Sequence, residues 1–375
     1  MRLSDDQSML ADTARTFLAE EGSISKQLRH WRDIGCKDGF GHGHWQQFAE
    51  LGLTGICIPE HAGGMGMGAA EAGLVLEEIG RNLTPSPFLT TAVAAVRALE
   101  GSTQATRWYP GILAGETVAA LAIDEGRRHD PSGIAMRADK AGNGFTLSGA
   151  KQFVVHGASA DLILVAARTG GSAGDADGLT LFAVARDAAR LGIENVVLTD
   201  SSHAARLTFA GVAVDGDAVV GEVDGGSVAL ARALGAGRAG AAAELVGVAA
   251  GASAMTLDYL KQRKQFGRLI GEFQALQHRS AHLFGEIEIA RAVAQKAAAM
   301  IDAGDERAEL MVSVAKAKAG KVAALAVQEG VQMHGGIGMT DEHDIGLYMK
   351  REAVLGELFG SARWHTNRVA ELSGY

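Results

Sequence analysis

The sequence predicts a mostly helical α+β protein with three domains: an N-terminal helical domain (residues 1–117), a middle β-barrel-like domain (118–222) and a C-terminal four-helix bundle (223–375). Three observations support this prediction. A chain of 375 residues exceeds what one hydrophobic core usually supports. Its residues are 47% hydrophobic but only 5% aromatic, which favours close-packed helices. The period of the apolar residues changes from helical to alternating near Thr117 and back after Gly221.

In the N-terminal domain, Ser4 precedes apolar residues at three- and four-residue spacing and predicts a capped amphipathic helix. Further helices are expected over residues 45–51, 69–80 and 90–113. The glycine cluster within residues 59–68 follows no strand and lacks a P-loop lysine, so we interpret it as a plain turn.

In the middle domain, six short runs rich in Val, Leu, Ile, Phe and Thr are separated by turn residues and predict strands. The runs are 118–123, 144–155, 161–168, 179–186, 192–198 and 205–212. No helix-length pattern interrupts them, which argues against a doubly wound nucleotide-binding fold. The polar loop 124–131 is either a solvated loop or part of a site.

The C-terminal domain contains four predicted helices, at about 226–262, 272–304, 305–334 and 342–371, with Asp305 as the expected N-cap of the third. That third helix ends at Gly335 and Gly336. Residues without side chains let a charged ligand approach the backbone amides, so a binding loop is predicted here.

The net charge of −9 and the pI near 5.8 argue against nucleic acid or an anionic membrane surface as a partner. The two cysteines, Cys36 and Cys57, form neither a disulfide framework nor a metal site, and the apolar neighbours of Cys57 predict a buried thiol. Neither an export signal nor a membrane span is recognised, so we expect a cytoplasmic protein without a resident metal.

Two segments together, 262–277 and Gln332-Met-His-Gly-Gly336, resemble the acyl-CoA dehydrogenase family. The resemblance extends over nearly the whole chain, through Leu51-Gly52, Pro59-Glu60 before Gly63-Gly64, and Ser148-Gly149-Ala150-Lys151, interpreted as a hairpin. It implies α,β-desaturation of an acyl-CoA thioester with FAD, reoxidised by an electron-transferring flavoprotein. It also implies a homotetramer or heterotetramer, in which the flavin lies between the β domain of one subunit and the bundle of its neighbour.

The resemblance also assigns roles to individual residues. Arg263 would pair with the FAD pyrophosphate, because a guanidinium donates two parallel hydrogen bonds to phosphate oxygens. Arg238 would lie near the acyl-CoA, unless it is a structural ion-pair partner. The other residues expected at the cofactor are Phe266, Gln274, Gln332, Gly335, Gly336, Ile123, Asp124, Phe153, Val155 and Ser361.

The departures from the family pattern concern the base and the β domain. Phe359 stands where the family has its glutamate in a Tyr-Glu-Gly-Thr pattern, and Gly237 occupies the alternative position of the base, before Arg238. Neither residue can abstract a proton. In the β domain Phe153-Val154-Val155 replaces Trp-Ile-Thr, which removes a hydroxyl expected near flavin N5. The loop at Asp124 lacks the serine that contacts CoA, and this aspartate would place a negative charge near the flavin pyrimidine edge.

These losses make the chain similar to the small, non-catalytic subunits of heteromeric bacterial acyl-CoA dehydrogenases, such as pimeloyl-CoA dehydrogenase small subunits and steroid side-chain enzymes. We therefore expect a subunit that lends its bundle to a partner's FAD site. One alternative is a homomeric enzyme with a relocated base, Glu357 or Glu244. Another is a non-enzymatic binding or scaffold protein. The sequence does not specify the acyl chain.

Overall fold

The computed structural model describes residues 3–175 and 177–375, which form two compact units. The first unit comprises residues 3–30, Ala69–Pro85 and Arg238–Tyr375. The second comprises Trp31–Gly68 and Ser86–Gly237. The first is helical, and the second combines a sheet with short helices, so the predicted α+β class is confirmed.

The helices have the following bounds. They are α1 Asp5–Glu20, α2 His30–Asp33, α3 His42–Glu50, α4 Ala69–Asn82, α5 Val96–Leu99, α6 Thr103–Leu113, α7 Gly226–Gln262, α8 Gln274–Asp302, α9 Ala308–His334, α10 Ile345–Glu357 and α11 Ala362–Leu372. Two π-helical segments, Ser25–Arg29 and Phe88–Ala95, lead into α2 and α5.

The predicted N-terminal cap is confirmed. The Ser4 side chain accepts the N–H of Gln7, and the Gln7 side chain accepts the N–H of Ser4, which forms a capping box. The single helix predicted over residues 90–113 is wrong, because the chain leaves the helix after Leu99 and Gly101 has a φ of +76°. A left-handed residue cannot continue a right-handed helix.

The glycine cluster 59–68 is a plain turn, as predicted. The amides of Met65 and Met67 donate to the carbonyls of Gly55 and Ile56, at 3.0 and 2.9 Å. These donors close the turn on the backbone, so they do not form a phosphate cradle.

The strands of the second unit form one seven-stranded sheet in the order β1-β4-β2-β3-β7-β6, with β5 paired to β4. Their bounds are β1 Ala119–Ala122, β2 Arg137–Ala141, β3 Gly144–Val155, β4 Leu162–Arg168, β5 Leu179–Ala185, β6 Leu191–Val197 and β7 His203–Val214. Strands β1 and β4 pair in parallel, whereas β3 pairs antiparallel with both β2 and β7.

All six predicted strands occur, but two sequence interpretations of the sheet are wrong. Strand β2 was not predicted because its residues, Arg-Ala-Asp-Lys-Ala, are mostly charged and exposed. The segment from Ser148 to Lys151 is not a hairpin. It lies within β3, next to irregularities in the pairing with β7. The β2–β3 turn comes earlier, after Ala141.

In the first unit, α4 and α7 cross so closely that only glycine fits at the crossing. A Cβ on Gly80 would lie 2.1 Å from the carbonyl oxygen of Glu244, and one on Gly247 would lie 1.9 Å from that of Glu77. This crossing, together with the contacts of α4 with α1 and α8, joins the N-terminal helices to the bundle. Helix α7 is long and apolar enough to cross a membrane, but 72% of its most apolar window is buried inside the protein, as in a core helix.

The bundle departs from prediction at two helix ends. The predicted fourth helix, 342–371, is two helices, α10 and α11, separated by a turn in which Phe359 and Gly360 have φ values of +59° and +108°. Asp305 is not the N-cap of α9. Arg307 takes that position, and the Asp305 carboxylate accepts the N–H of Arg307 at 2.8 Å.

Candidate cofactor and substrate site

The segment that follows α7 forms a small exposed hairpin. Strands β8 (Lys264–Gln265) and β9 (Arg268–Leu269) pair across Phe266 and Gly267, whose φ values of +54° and +80° match the two-residue turns that suit strand twist. The Phe266 ring is 89% exposed. Arg263, just before the hairpin, is exposed, and no partner for its guanidinium is found within the described ranges. Gln274, the first residue of α8, is exposed as well.

The predicted glycine loop lies at the end of α9. Gly335 has a φ of +65°, and neither Gly335 nor Gly336 has an atom within 4 Å of where a Cβ would stand. The N–H of Gly335 donates to the carbonyl of Gln332, so that amide is already used. The Gln332 side chain is exposed. The loop therefore offers open space and an exposed side-chain amide.

Three packed aromatic rings, those of Tyr259, His334 and His343, lie at the C-terminal end of α9. The buried ring of His334 lies 4.4 Å from that of Tyr259 and 4.3 Å from that of His343, centroid to centroid. Its Nδ1 atom is 2.7 Å from the carbonyl oxygen of Gly330. Burial lowers the pKa of His334, so the stack is built on a neutral imidazole at neutral pH.

The turn at Phe359 is held by contacts within the protein. The Phe359 ring is buried, and its carbonyl accepts the Nε–H of Arg238 at 3.2 Å. The Arg238 guanidinium lies over the Trp364 ring, 4.6 Å from its centroid. Arg238 is only 6% exposed. Arg238 thus stabilises the turn at Phe359, and its predicted place near the acyl-CoA stays a prediction.

Sequence reasoning missed Lys316, which lies beneath the same turn. Its ammonium has no exposed surface and donates to the carbonyls of Leu355, Gly356 and Gly360, at 3.2, 3.0 and 3.2 Å. Burial lowers the pKa of Lys316 to about 7. A signal was present in the sequence. Lys316 falls at helical spacing on the apolar face of α9 that also carries Val312, Ala319 and Ala323.

The two candidate relocated bases lie in unsuitable settings. Glu357 ends α10 with an exposed side chain, whereas proton abstraction needs a desolvated carboxylate. Glu244 is buried but accepts the Nε–H of Arg351 at 3.0 Å. Nearby, Ser361 caps α11 by accepting the N–H of Trp364. Gly237 is buried and carries no side chain.

In the second unit, the backbone of Ile123, one of the residues predicted at the flavin, is bound by a buried lysine. Ile123 is buried, and its carbonyl accepts from the fully buried Lys151 Nζ at 2.9 Å. Lys151 also donates to the Glu125 carboxylate at 2.8 Å. Phe153 has a φ of +50°, and Val155 is buried and apolar. This side therefore lacks the hydroxyl that the family pattern would place here.

The loop after β1 is organised by its acidic side chains. Asp124 Oδ2 lies 3.0 Å from His129 Nδ1, and Asp124 Oδ1 accepts the N–H of Asp130 at 3.0 Å. The carboxylate predicted to face the flavin is thus half-buried and held within its own loop. The Asp124 carboxylate therefore helps to fix the conformation of this loop.

Family models for the three domains of the acyl-CoA dehydrogenases match this chain. The N-terminal domain matches residues 4–116, the middle domain 120–212 and the C-terminal domain 224–373. The chain therefore belongs to the acyl-CoA dehydrogenase family.

Individual relatives agree. The short/branched chain specific acyl-CoA dehydrogenase of Bos taurus is 30% identical over 98% of this chain and 85% of its own length. A solved variant of the Tcur3481-Tcur3483 steroid ACAD is 30% identical with a TM-score of 0.88 and 98% of both chains covered. The FAD complex of PigA shares the fold, with a TM-score of 0.91. Its sequence identity is 20%, and the match covers 100% of this chain and 99% of the PigA chain.

Taken separately, the predicted cofactor residues of the two units fit the family's FAD unequally. On the bundle side, Arg263, Gln274 and Gln332 are exposed, and open space lies beside the glycine loop. On the sheet side, Val155 offers no donor and the Asp124 carboxylate is held internally. The bundle residues fit a dinucleotide, whereas the sheet residues have lost the contacts expected of them.

Proposed function

We propose that this chain is a subunit of an acyl-CoA dehydrogenase assembly that lacks its own catalytic carboxylate and completes a partner subunit's FAD site with its bundle. FAD accepts the hydride in this chemistry. The observation that carries the proposal is Phe359, which stands where the base is expected, in a turn whose carbonyls are bound by Arg238 and Lys316. A turn built this way has no group to accept the α proton of a thioester.

The bundle supports the lending role. Arg263 adjoins an exposed hairpin whose Phe266 side chain is almost fully exposed and would be available to pack against a partner subunit. A guanidinium that has no acceptor among the described residues suits the pyrophosphate of FAD. Gln332 and the space at Gly336 would adjoin the same dinucleotide. The two designations joined in the name of the steroid relative support a two-chain assembly.

The expected partners follow from this role. They are a second acyl-CoA dehydrogenase subunit that carries the base, an acyl-CoA substrate, and an electron-transferring flavoprotein that reoxidises the flavin. The assembly would be a cytoplasmic heterotetramer.

The test is to purify the chain alone and after co-expression with an acyl-CoA dehydrogenase subunit that carries the glutamate. Flavin content is measured by absorbance, and acyl-CoA oxidation by reduction of an artificial acceptor. We expect little flavin and no turnover from the lone chain, and both from the assembly. Full turnover by the lone chain would refute the proposal.

A matched pair of variants tests the bundle's contribution within the assembly. Arg263→Gln should weaken flavin binding about 10- to 100-fold, because one charge-assisted phosphate contact contributes roughly 1.5–3 kcal/mol. Arg363→Gln, an exposed arginine on α11, is the control and should leave flavin content unchanged. Equal flavin content in both variants would remove Arg263 from the site.

A further inference from the structure

One arginine joins the N-terminal part of the first unit to the acidic segment 340–344, which follows the glycine loop Gly335–Met339. Arg29 is the last residue of the π-helical segment that precedes α2. Its Nε atom donates to Asp344 Oδ1 at 2.7 Å, and its Nη2 atom donates to the carbonyl of Asp341 at 2.7 Å. Its Nη1 atom lies 3.4 Å from Asp341 Oδ2. A single guanidinium therefore binds the acidic segment at two positions.

The shape of the arginine side chain suits this arrangement. A guanidinium presents several donors in fixed directions, whereas the ammonium of a lysine is a single point charge. The side chains of Arg29 and Asp344 are 22% and 32% exposed, so water screens their ion pair only in part. Asp344 is also the N-cap residue of α10, where a negative charge suits the positive end of the helix dipole. Arg29 thus fixes the start of α10 together with the segment before it.

The acidic segment also contacts the end of α9. Its His343 ring lies 4.3 Å from the ring of His334, the last residue of that helix, centroid to centroid. The Nδ1 atom of His343 accepts the N–H of Ile345 at 3.2 Å. The segment therefore lies against the residue that immediately precedes the glycine loop.

The glycine loop is connected directly to this segment. Both the N–H and the hydroxyl of Thr340 donate to the carbonyl of Ile337, at 3.1 and 2.9 Å. Beside Gly335 and Gly336, in contrast, no atom of the described residues lies within 4 Å of where a Cβ would stand. Because packing does not hold the loop on that side, its conformation depends on the anchors at its ends. The acidic segment bound by Arg29 is one of these anchors.

We propose that Arg29 is a positioning residue for the cofactor, which holds the acidic segment, and through it the glycine loop, in the conformation that receives the dinucleotide. A loop that is already ordered loses less conformational freedom on binding, so Arg29 raises the affinity for FAD through the loop. The cofactor role rests on the proposed function, whereas the attachment of the acidic segment rests on contacts within one unit.

The first measurement is amide hydrogen exchange of the chain purified alone, which requires neither flavin nor a partner subunit. Two amides report on the two sides of the acidic segment. The N–H of Thr340 donates to the carbonyl of Ile337 at 3.1 Å, and that of Leu347 donates to Asp344 at 2.9 Å. Both amides should exchange about fivefold faster, or more, in Arg29→Gln and in Asp344→Asn. Unchanged exchange in both variants would overturn the proposal.

The second measurement is the affinity of the assembly with a partner subunit for FAD, by titration after the flavin is removed. Arg29→Gln and Asp344→Asn should each weaken FAD binding about tenfold. The double variant should lose no more than either single variant, because both changes remove one interaction. The two substitutions change the net charge in opposite directions, so a purely electrostatic effect on the phosphates would shift the two affinities in opposite directions. Opposite shifts, or faster exchange without a loss of affinity, would overturn the positioning role.

Turnover at saturating FAD separates positioning from catalysis. Arg29→Gln should then oxidise acyl-CoA at the parental rate, because no reacting group is changed. A loss of turnover that saturating FAD does not restore would contradict a role exerted through FAD affinity.

Arg15→Gln is the matched control, because Arg15 is an arginine of α1 in the same unit that pairs with Asp12 and Glu78, at 3.0 and 3.2 Å. This variant loses ion pairs but should leave the exchange of Thr340 and the FAD affinity unchanged. If the parental assembly bound no flavin, the proposed function and the cofactor role of Arg29 would both be refuted. Exchange at Thr340 would still decide whether Arg29 holds the acidic segment.

Discussion

Lys151 in the sheet unit and Lys316 in the bundle unit are both fully buried, yet their charges are compensated differently. The Lys151 ammonium lies 2.8 Å from the carboxylate of Glu125. Lys316 donates to three backbone carbonyls, and no carboxylate oxygen of the described residues lies within 4 Å of its Nζ atom. One lysine therefore has a carboxylate in direct contact, whereas the other is bound by carbonyl dipoles and is influenced by the charges of Glu357, Glu352 and Glu244 only from a greater distance.

The difference explains what each lysine does for its segment. Lys151 and Glu125 tie the loop after β1 to strand β3 and thereby fix the shape of this loop. Lys316 binds the carbonyls of the turn that carries Phe359, so this turn persists without its carboxylate. Each lysine thus holds the backbone of a segment that carries residues predicted to lie at the cofactor.

Lys151→Met should give the largest effect, a loss of about 3–5 kcal/mol in the free energy of unfolding, because it leaves the Glu125 carboxylate without its buried partner. The measurement is urea denaturation, with amide exchange in β3 to localise the change. Lys37→Met, at an exposed position of the same unit, is the control. A loss below about 1 kcal/mol would mean that the Lys151–Glu125 pair stabilises the fold no more than an exposed ion pair does.

The lowered pKa of Lys316 should appear in the pH dependence of the free energy of unfolding. Its folded pKa of about 7 lies below the unfolded value of 10.5, so unfolding takes up a proton between these two pH values and stability rises with pH. The free energy of unfolding of the parent chain, relative to Lys316→Met, should increase by up to about 1.4 kcal/mol per pH unit from pH 7 to 9.

Denaturation at pH 7, 8 and 9 measures this difference. The control is Lys321→Met, which changes an exposed lysine of the same helix. Its free energy of unfolding should depend on pH as that of the parent chain does. If the difference between the parent chain and Lys316→Met stays constant with pH, Lys316 keeps its proton and the comparison with Lys151 fails.

The sequence predicted the parts of the fold that depend on local patterns. The Ser4 cap, six strands and the first three bundle helices follow from short-range periodicity and capping, which act within a few residues. The break at Phe359 was not predicted, because residues on α7 and α9, distant in sequence, hold its carbonyls. Arg263 and Gln332 are exposed, and their role at the cofactor stays a prediction. The internal use of Arg238 depends on a contact with Phe359, which is distant in sequence, and that of Asp124 depends on a loop conformation that no motif specifies.

Glu125→Gln removes the charge of the carboxylate that pairs with Lys151. The free energy of unfolding should fall by about 2 kcal/mol. The new side-chain amide is neutral, so the two backbone N–H groups lose a charged acceptor, and its NH₂ group would face other donors. Amide exchange at Ala135 and Met136 should quicken, since their N–H groups donate to this side chain. Glu116→Gln, at an exposed position, should show neither effect. Unchanged exchange at both amides would show that the carboxylate does not hold the loop.

Glu357→Gln should give the smallest effect, a change in stability below about 0.5 kcal/mol, because the side chain is exposed and does not contact Lys316. The charge of Glu357 raises the pKa of Lys316, so removing it should move the pH-dependent rise in stability to lower pH. The same variant tests the relocated base. In the assembly with a partner subunit, acyl-CoA oxidation should be unchanged. A loss of turnover greater than about tenfold would identify Glu357 as a catalytic carboxylate and would contradict the lending role.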